Sequence, residues 1–167
     1  GFVVQKGREL DMKVWIYDEN SYPSGFAGGH VPAQMPESYK HGAGLRMEIQ
    51  QELQVQPSDT IEVILKKNAT GFTDVTEQVE QEMGRKGTYY VFRKTYPAKS
   101  LWYGGFSYVD LLHEGVTEKF LEITMTKGYE RNKADFGTTL PGVFTDEPNL
   151  ESAMSHGTIM RWTPDLW

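Results

Sequence analysis

The chain of 167 residues contains no cysteine. That removes thiol nucleophiles, disulfide frameworks and cysteine-bound zinc together. No apolar run approaches the roughly 20 residues that a membrane-spanning helix needs. The first residues, GFVVQKGREL, carry neither a basic leader nor a long apolar stretch, so no signal peptide is visible. Basic residues are outnumbered: 17 Lys and Arg against 23 Asp and Glu leave a net charge of −6. With no basic arm, that balance argues against a nucleic-acid surface. The Gly-rich stretch GFAGGH lacks the spacing of a phosphate cradle, and no Gly-Lys-Ser/Thr follows it. The histidines His30, His41, His113 and His156 show no metal-binding spacing, so no metal ligands are assigned from the residues.

What is present is globular in composition, 38% hydrophobic and 13% aromatic, enough for a core. The chain begins on Gly1 in mid-pattern and ends on RWTPDLW without a stop signal, so it is expected to be an excerpt of a longer protein. Three regions differ in pattern. Residues 1–31 read as a helix end, a strand at 13–17 and a Gly-rich loop. Residues 32–100 turn to period-2 alternation, with Leu45, Met47 and Ile49 on one face and Ile61, Val63 and Leu65 in the next strand. A β-rich insertion is expected there. Residues 101–167 return to a helical period, Val116, Phe120, Ile123 and Lys127 forming one stripe, before a strand at 142–145.

Two places stand out. In KVWIYDENSYPSGFAGG, residues 13–29, an apolar strand ends on Asp18 and Glu19. In PGVFTDEPN, residues 141–149, another ends on Asp146 and Glu147. With the insertion removed, strand and helix alternate, which predicts parallel strands with both acidic ends on one sheet edge. The fold class expected is therefore α/β, a partial (β/α)8 barrel with an inserted antiparallel β element. Carboxylates from different strand ends facing one cleft suit glycoside hydrolysis, in which one acid stays protonated and another accepts a proton or attacks. The blander alternative is that these acids cap helices or blunt strand edges. Strand parity puts Glu19 and Glu147 in the cleft and turns Asp146 outward. Tyr22, Trp102, Tyr103, Phe106 and Tyr108 are placed near the strand ends, where aromatic faces stack on sugars or simply fill the core.

The stretches VWIYDENSYPSGFAGG, YVDLL, VTEKFLE and FGTTLPGVFTDEP together resemble a group of large bacterial glycoside hydrolases that includes the family 106 α-L-rhamnosidases. The resemblance covers residues 1–31 and 100–167; the insertion matches only in position and β character. It implies a barrel catalytic domain within a longer, secreted or periplasmic polysaccharide-degrading enzyme, inverting, with calcium in its active site. Glu147 and Glu19 are the expected catalytic acids. Asp18, Tyr22, His30, Trp102, Asp110 and Asp146 are the expected substrate ligands. The partners expected are a carbohydrate substrate and the rest of the parent chain, with no nucleic acid and no membrane-spanning segment. A non-catalytic carbohydrate-binding or structural β module is the alternative, and a metal-dependent hydrolase a third reading.

Overall fold

A computed structural model of the chain describes residues 1–40, 44–57, 59–96, 98–150 and 159–163. His41 and His156 lie outside the described residues. The strands are β1 (Ile16–Tyr17), β2 (Gly44–Glu52), β3 (Ile61–Lys67), β4 (Phe72–Asp74), β5 (Lys86–Thr95), β6 (Val143–Phe144) and β7 (Ile159–Arg161). The helices are α1 (Phe2–Glu9), α2 (His30–Gln34), α3 (Glu37–Lys40), α4 (Val79–Glu82), α5 (Val116–Leu121) and α6 (Lys127–Asn132). None of the described helices is long and apolar enough to cross a membrane.

Contacts divide the chain into two compact units: 1–40 with 98–150, and 44–96 with 159–163. In the first unit β1 and β6 pair in parallel, Ile16 opposite Val143 and Tyr17 opposite Phe144. Its core is built from Phe26, Val31, Tyr103, Tyr108, Val109, Val116 and Phe120. Phe26 sits edge-on to both Tyr103 and Tyr108, at 5.2 and 5.9 Å between ring centroids. Tyr103 and Tyr108 are therefore core residues and not sugar platforms. The helical stripe behaves as its period requires: Val116 and Phe120 are buried and Ile123 packs beside them. The helix is not regular, however. Between α5 and α6 the turn at Glu122–Thr126 widens to π geometry. There the Thr124 hydroxyl donates to the Phe120 carbonyl (2.8 Å) and that of Thr126 to the Leu121 carbonyl (3.3 Å). Such hydroxyls compete with the backbone ladder and loosen it locally.

The second unit is a five-stranded sheet in the order β4-β3-β5-β2-β7, antiparallel at every pairing. Leu53, Ile64, Val75, Tyr89 and Val91 form its core. Glu82, at the edge of that core, accepts from Lys66 Nζ and the Tyr89 hydroxyl, each at 2.6 Å. Those two hydrogen bonds hold its carboxyl below the ordinary carboxylate value.

The expected partial (β/α)8 barrel does not form. The chain is instead mixed α/β: one two-stranded parallel pair and one antiparallel sheet. A barrel requires every parallel strand to have neighbours on both sides. Among the described residues β1 and β6 have only each other, over two residues each. The run Val14–Tyr17 is correspondingly not a buried strand, since Trp15 and Tyr17 are half exposed.

Candidate functional site

The two acidic strand ends meet because the loop after β1 is laced to the segment after β6. The Asp18 N–H donates to the Phe144 carbonyl (3.2 Å), continuing the parallel ladder by one step. The Ser24 N–H then donates to the Asp146 carbonyl (2.8 Å). Ser24 Oγ accepts from the Asp146 N–H (2.9 Å) and donates to Asp18 Oδ1 (2.6 Å). The buried Tyr108 hydroxyl donates to the Ser24 carbonyl (2.7 Å) and accepts from the Asn149 N–H (3.1 Å). A serine and a tyrosine side chain thus add to the backbone bonds that tie the two loops together.

This lacing brings three carboxylates and two phenols together. The Tyr17 hydroxyl lies within hydrogen-bond distance of both Glu19 Oε2 and Asp146 Oδ2, the latter at 2.6 Å. It has one proton to donate, so a proton on one carboxyl completes the network. Glu19 is the carboxyl that releases its proton less readily than usual. Partial burial, then the Asp146 charge, then a hydrogen bond with Asp146 raise its carboxyl above the ordinary value. Beside this pair, the Tyr22 hydroxyl donates to Glu147 Oε2 at 2.5 Å. That bond, partial burial and the charges of Glu147, Asp146 and Glu19 push the phenol above its ordinary value.

The parity expected from an extended strand is not kept. β6 ends at Phe144, and Glu147 has φ of 43°. A non-glycine residue in the left-handed region just before a proline is strained, by about 1–3 kcal/mol. The turn lets Asp146 face Glu19, and Glu147 face Tyr22.

The remaining expected residues separate into those at the site and those away from it. Trp102 belongs to it: its indole N–H donates to the Tyr22 carbonyl (2.6 Å), while the residue as a whole stays 58% exposed. His30 lines a cleft of about 380 Å³ with Tyr17, Asp18, Glu19, Gln34 and Thr124. Asp18 reaches that cleft but is buried and anchored by Ser24. Asp110 does not line it; its carboxylate accepts the Leu112 N–H (3.1 Å) and steadies a turn. The glycines of GFAGGH have a different task from lining a ligand. A Cβ on Gly104 would stand 2.7 Å from the Gly28 carbonyl oxygen and 3.0 Å from Gly29 Cα. The loop and the 101–105 turn pack backbone on backbone, which requires glycine on both sides.

Four contributors were not anticipated: the Tyr17 hydroxyl, Ser24, Gln34 and the widened turn carrying Thr124. Tyr17 and Glu19 share strand parity, and Thr-x-Thr inside a helical period hints at the widened turn. Nothing local marks Ser24 or Gln34.

Comparison with known protein families, curated proteins and solved structures finds no match. The calcium implied by the resemblance can be tested against the donors present. Among the described residues no three His, Cys, Asp or Glu side chains gather as a metal-binding group. Glu19 and Asp146 are bridged by a hydroxyl, whereas calcium takes six to eight oxygens. These residues do not fit it.

Proposed function

We propose that the chain carries the acid–base carboxylates of a glycoside hydrolase acting on a rhamnoside-like or related plant or bacterial polysaccharide. The observation that supports this most is the Glu19 and Asp146 carboxylates bridged by the Tyr17 hydroxyl, standing beside the Tyr22–Glu147 pair. Carboxyls held on one hydroxyl are closer than the roughly 5–9.5 Å that separates the two flanking groups of a glycosidase. Glu19 and Asp146 therefore count as one acid, and Glu147 is the second group.

In this reading Glu19 gives its proton to the glycosidic oxygen as the C–O bond breaks. Glu147 takes a proton from the water that attacks the anomeric carbon. Asp146 keeps Glu19 protonated to higher pH, and Tyr17 orients both. Tyr22 holds Glu147 in its strained turn, a cost of the kind found where geometry serves chemistry. Trp102, fixed at its edge and open on its face, is the sugar platform.

The test is an assay of the full-length protein against a panel of aryl glycosides, beginning with an aryl α-L-rhamnopyranoside. Release of the aryl alcohol is expected. Trp102→Ala should raise KM roughly five- to tenfold with a smaller change in kcat, the loss of about 1 kcal/mol of stacking. Trp102→Phe should recover most of it. Cleavage of no glycoside in the panel would end the enzyme assignment.

A further inference from the structure

The second unit has a polar groove that the hydrolytic reading does not use. Its volume is about 720 Å³, within the range of small-molecule sites, and Arg46, Arg93, Glu48, Gln56 and Asp59 line it. Arg46 on β2 and Arg93 on β5 are directly opposite in the antiparallel ladder, so their side chains leave the same face of the sheet. Two guanidiniums side by side repel unless matched. Arg93 is matched twice, by Glu48 at 2.6 Å and by Asp59 at 3.2 Å. Asp59 is itself anchored by the Gln56 N–H (2.9 Å), which with Arg93 holds its carboxyl below the ordinary value. Arg46 makes no ion pair among the described residues.

The groups left open are thus one guanidinium, the Gln56 amide, and the second oxygens of Glu48 and Asp59. The Gln50 amide is not open, because it bonds the Gln54 backbone in both directions, at 3.1 and 2.8 Å. A single anionic group suits Arg46, whose planar fork takes a carboxylate bidentately. The acceptors beside it would repel further anions but take O–H donors.

We propose that this groove binds an oligosaccharide bearing one uronate, its carboxylate on Arg46 and its hydroxyls on Glu48, Asp59 and Gln56. An acidic peptide fits less well, since each added carboxylate would face Glu48 or Asp59. The inference shares the carbohydrate class of the proposed function but none of its residues.

The test is calorimetric titration of the full chain with aldotriouronic acid, which is one glucuronate on xylobiose, against xylotriose and triglutamate. The uronate should bind at least about tenfold tighter than either, and Arg46→Ala should remove that preference, as expected for loss of a charge-assisted bidentate contact. Gln56→Ala, on a loop outside the sheet, should weaken binding several-fold and serves if Arg46→Ala destabilises the strand pair. Glu19→Gln should leave binding unchanged. Failure to bind the uronate at millimolar concentration, equal binding by Arg46→Ala, or a preference for triglutamate would overturn the proposal. Loss of groove binding with glycoside cleavage intact sinks this inference alone; the converse sinks only the catalytic reading.

Discussion

Glu19→Gln in the full-length protein is expected to lower kcat by about 10²–10⁴-fold, the usual contribution of a positioned acid. The pH–rate profile gives the sharper reading. A group that must be protonated to act fails as pH rises through its folded-state pKa, so Glu19, as the proposed acid, should set the alkaline limb. Glu19→Gln should remove that limb, and Asp146→Asn should shift it to lower pH without erasing it. The Asp146 charge and hydrogen bond are two of the three causes that raise Glu19, and the largest, partial burial, remains. Glu147→Gln should cost a similar factor and remove the acid limb instead. Stability should move the other way. Because folding raises the Glu19 pKa, its contribution is fully present below the unfolded value near 4.5 and is lost as pH rises through the folded one. Glu19→Gln should therefore be neutral at pH 4 and stabilising at pH 7, measured by thermal melts at both. An Asp146→Asn variant with an unmoved alkaline limb would show that Glu19 is not the titrating acid.

That assignment also shows what the sequence could and could not reveal. The two acidic strand ends were legible as a pair because a parallel alternation brings strand ends to one edge, and the Ile16–Tyr17 and Val143–Phe144 strands do lie side by side. Which acid faces which was not legible. Parity reasoning presumes that a strand continues, and here β6 stops before Asp146 while Glu147 turns left-handed. One strand–helix–strand alternation does not make a barrel: among the described residues β1 and β6 pair only with each other. The insertion was recognisable as β, but its alternation did not say what is covered: Leu45 is buried, Met47 and Ile49 on the same face are exposed, and Ile64 and Val91 are buried. A period of two locates a face but not the side that is covered. Here the cover comes from Leu53, Val75 and Val79, outside the strands that showed the alternation. Among the aromatics, burial separates Tyr103 and Tyr108 from Trp102, and no local signal in WYGGFSY distinguishes them.

Ser24→Ala should be the most damaging small substitution to the stability of the first unit. Ser24 is 1% exposed and its hydroxyl does two things at once, donating to Asp18 and accepting from the Asp146 N–H. Alanine removes both, leaving a buried carboxylate at Asp18 and an unpaired backbone donor at Asp146. An unsatisfied buried group costs about 1–3 kcal/mol, more when charged, so a loss of about 2–4 kcal/mol is expected. That corresponds to a fall in Tm of about 5–15 °C in a chain of this size. Asp18→Asn should cost less alone, since its amide oxygen still accepts from Ser24. In the Asp18→Asn background the serine should matter less, because a neutral amide is cheaper to leave unpaired than a carboxylate. A double-mutant cycle by urea denaturation should therefore show coupling of about 1 kcal/mol or more between the two positions. Additivity would mean that Asp18 finds another donor when Ser24 is gone. Ser24 touches none of the proton-carrying groups through its side chain, yet it holds the Asp146 backbone that sets the Glu19–Asp146 contact. Ser24→Ala should accordingly lower the alkaline limb of the pH–rate profile as Asp146→Asn does, through position instead of charge.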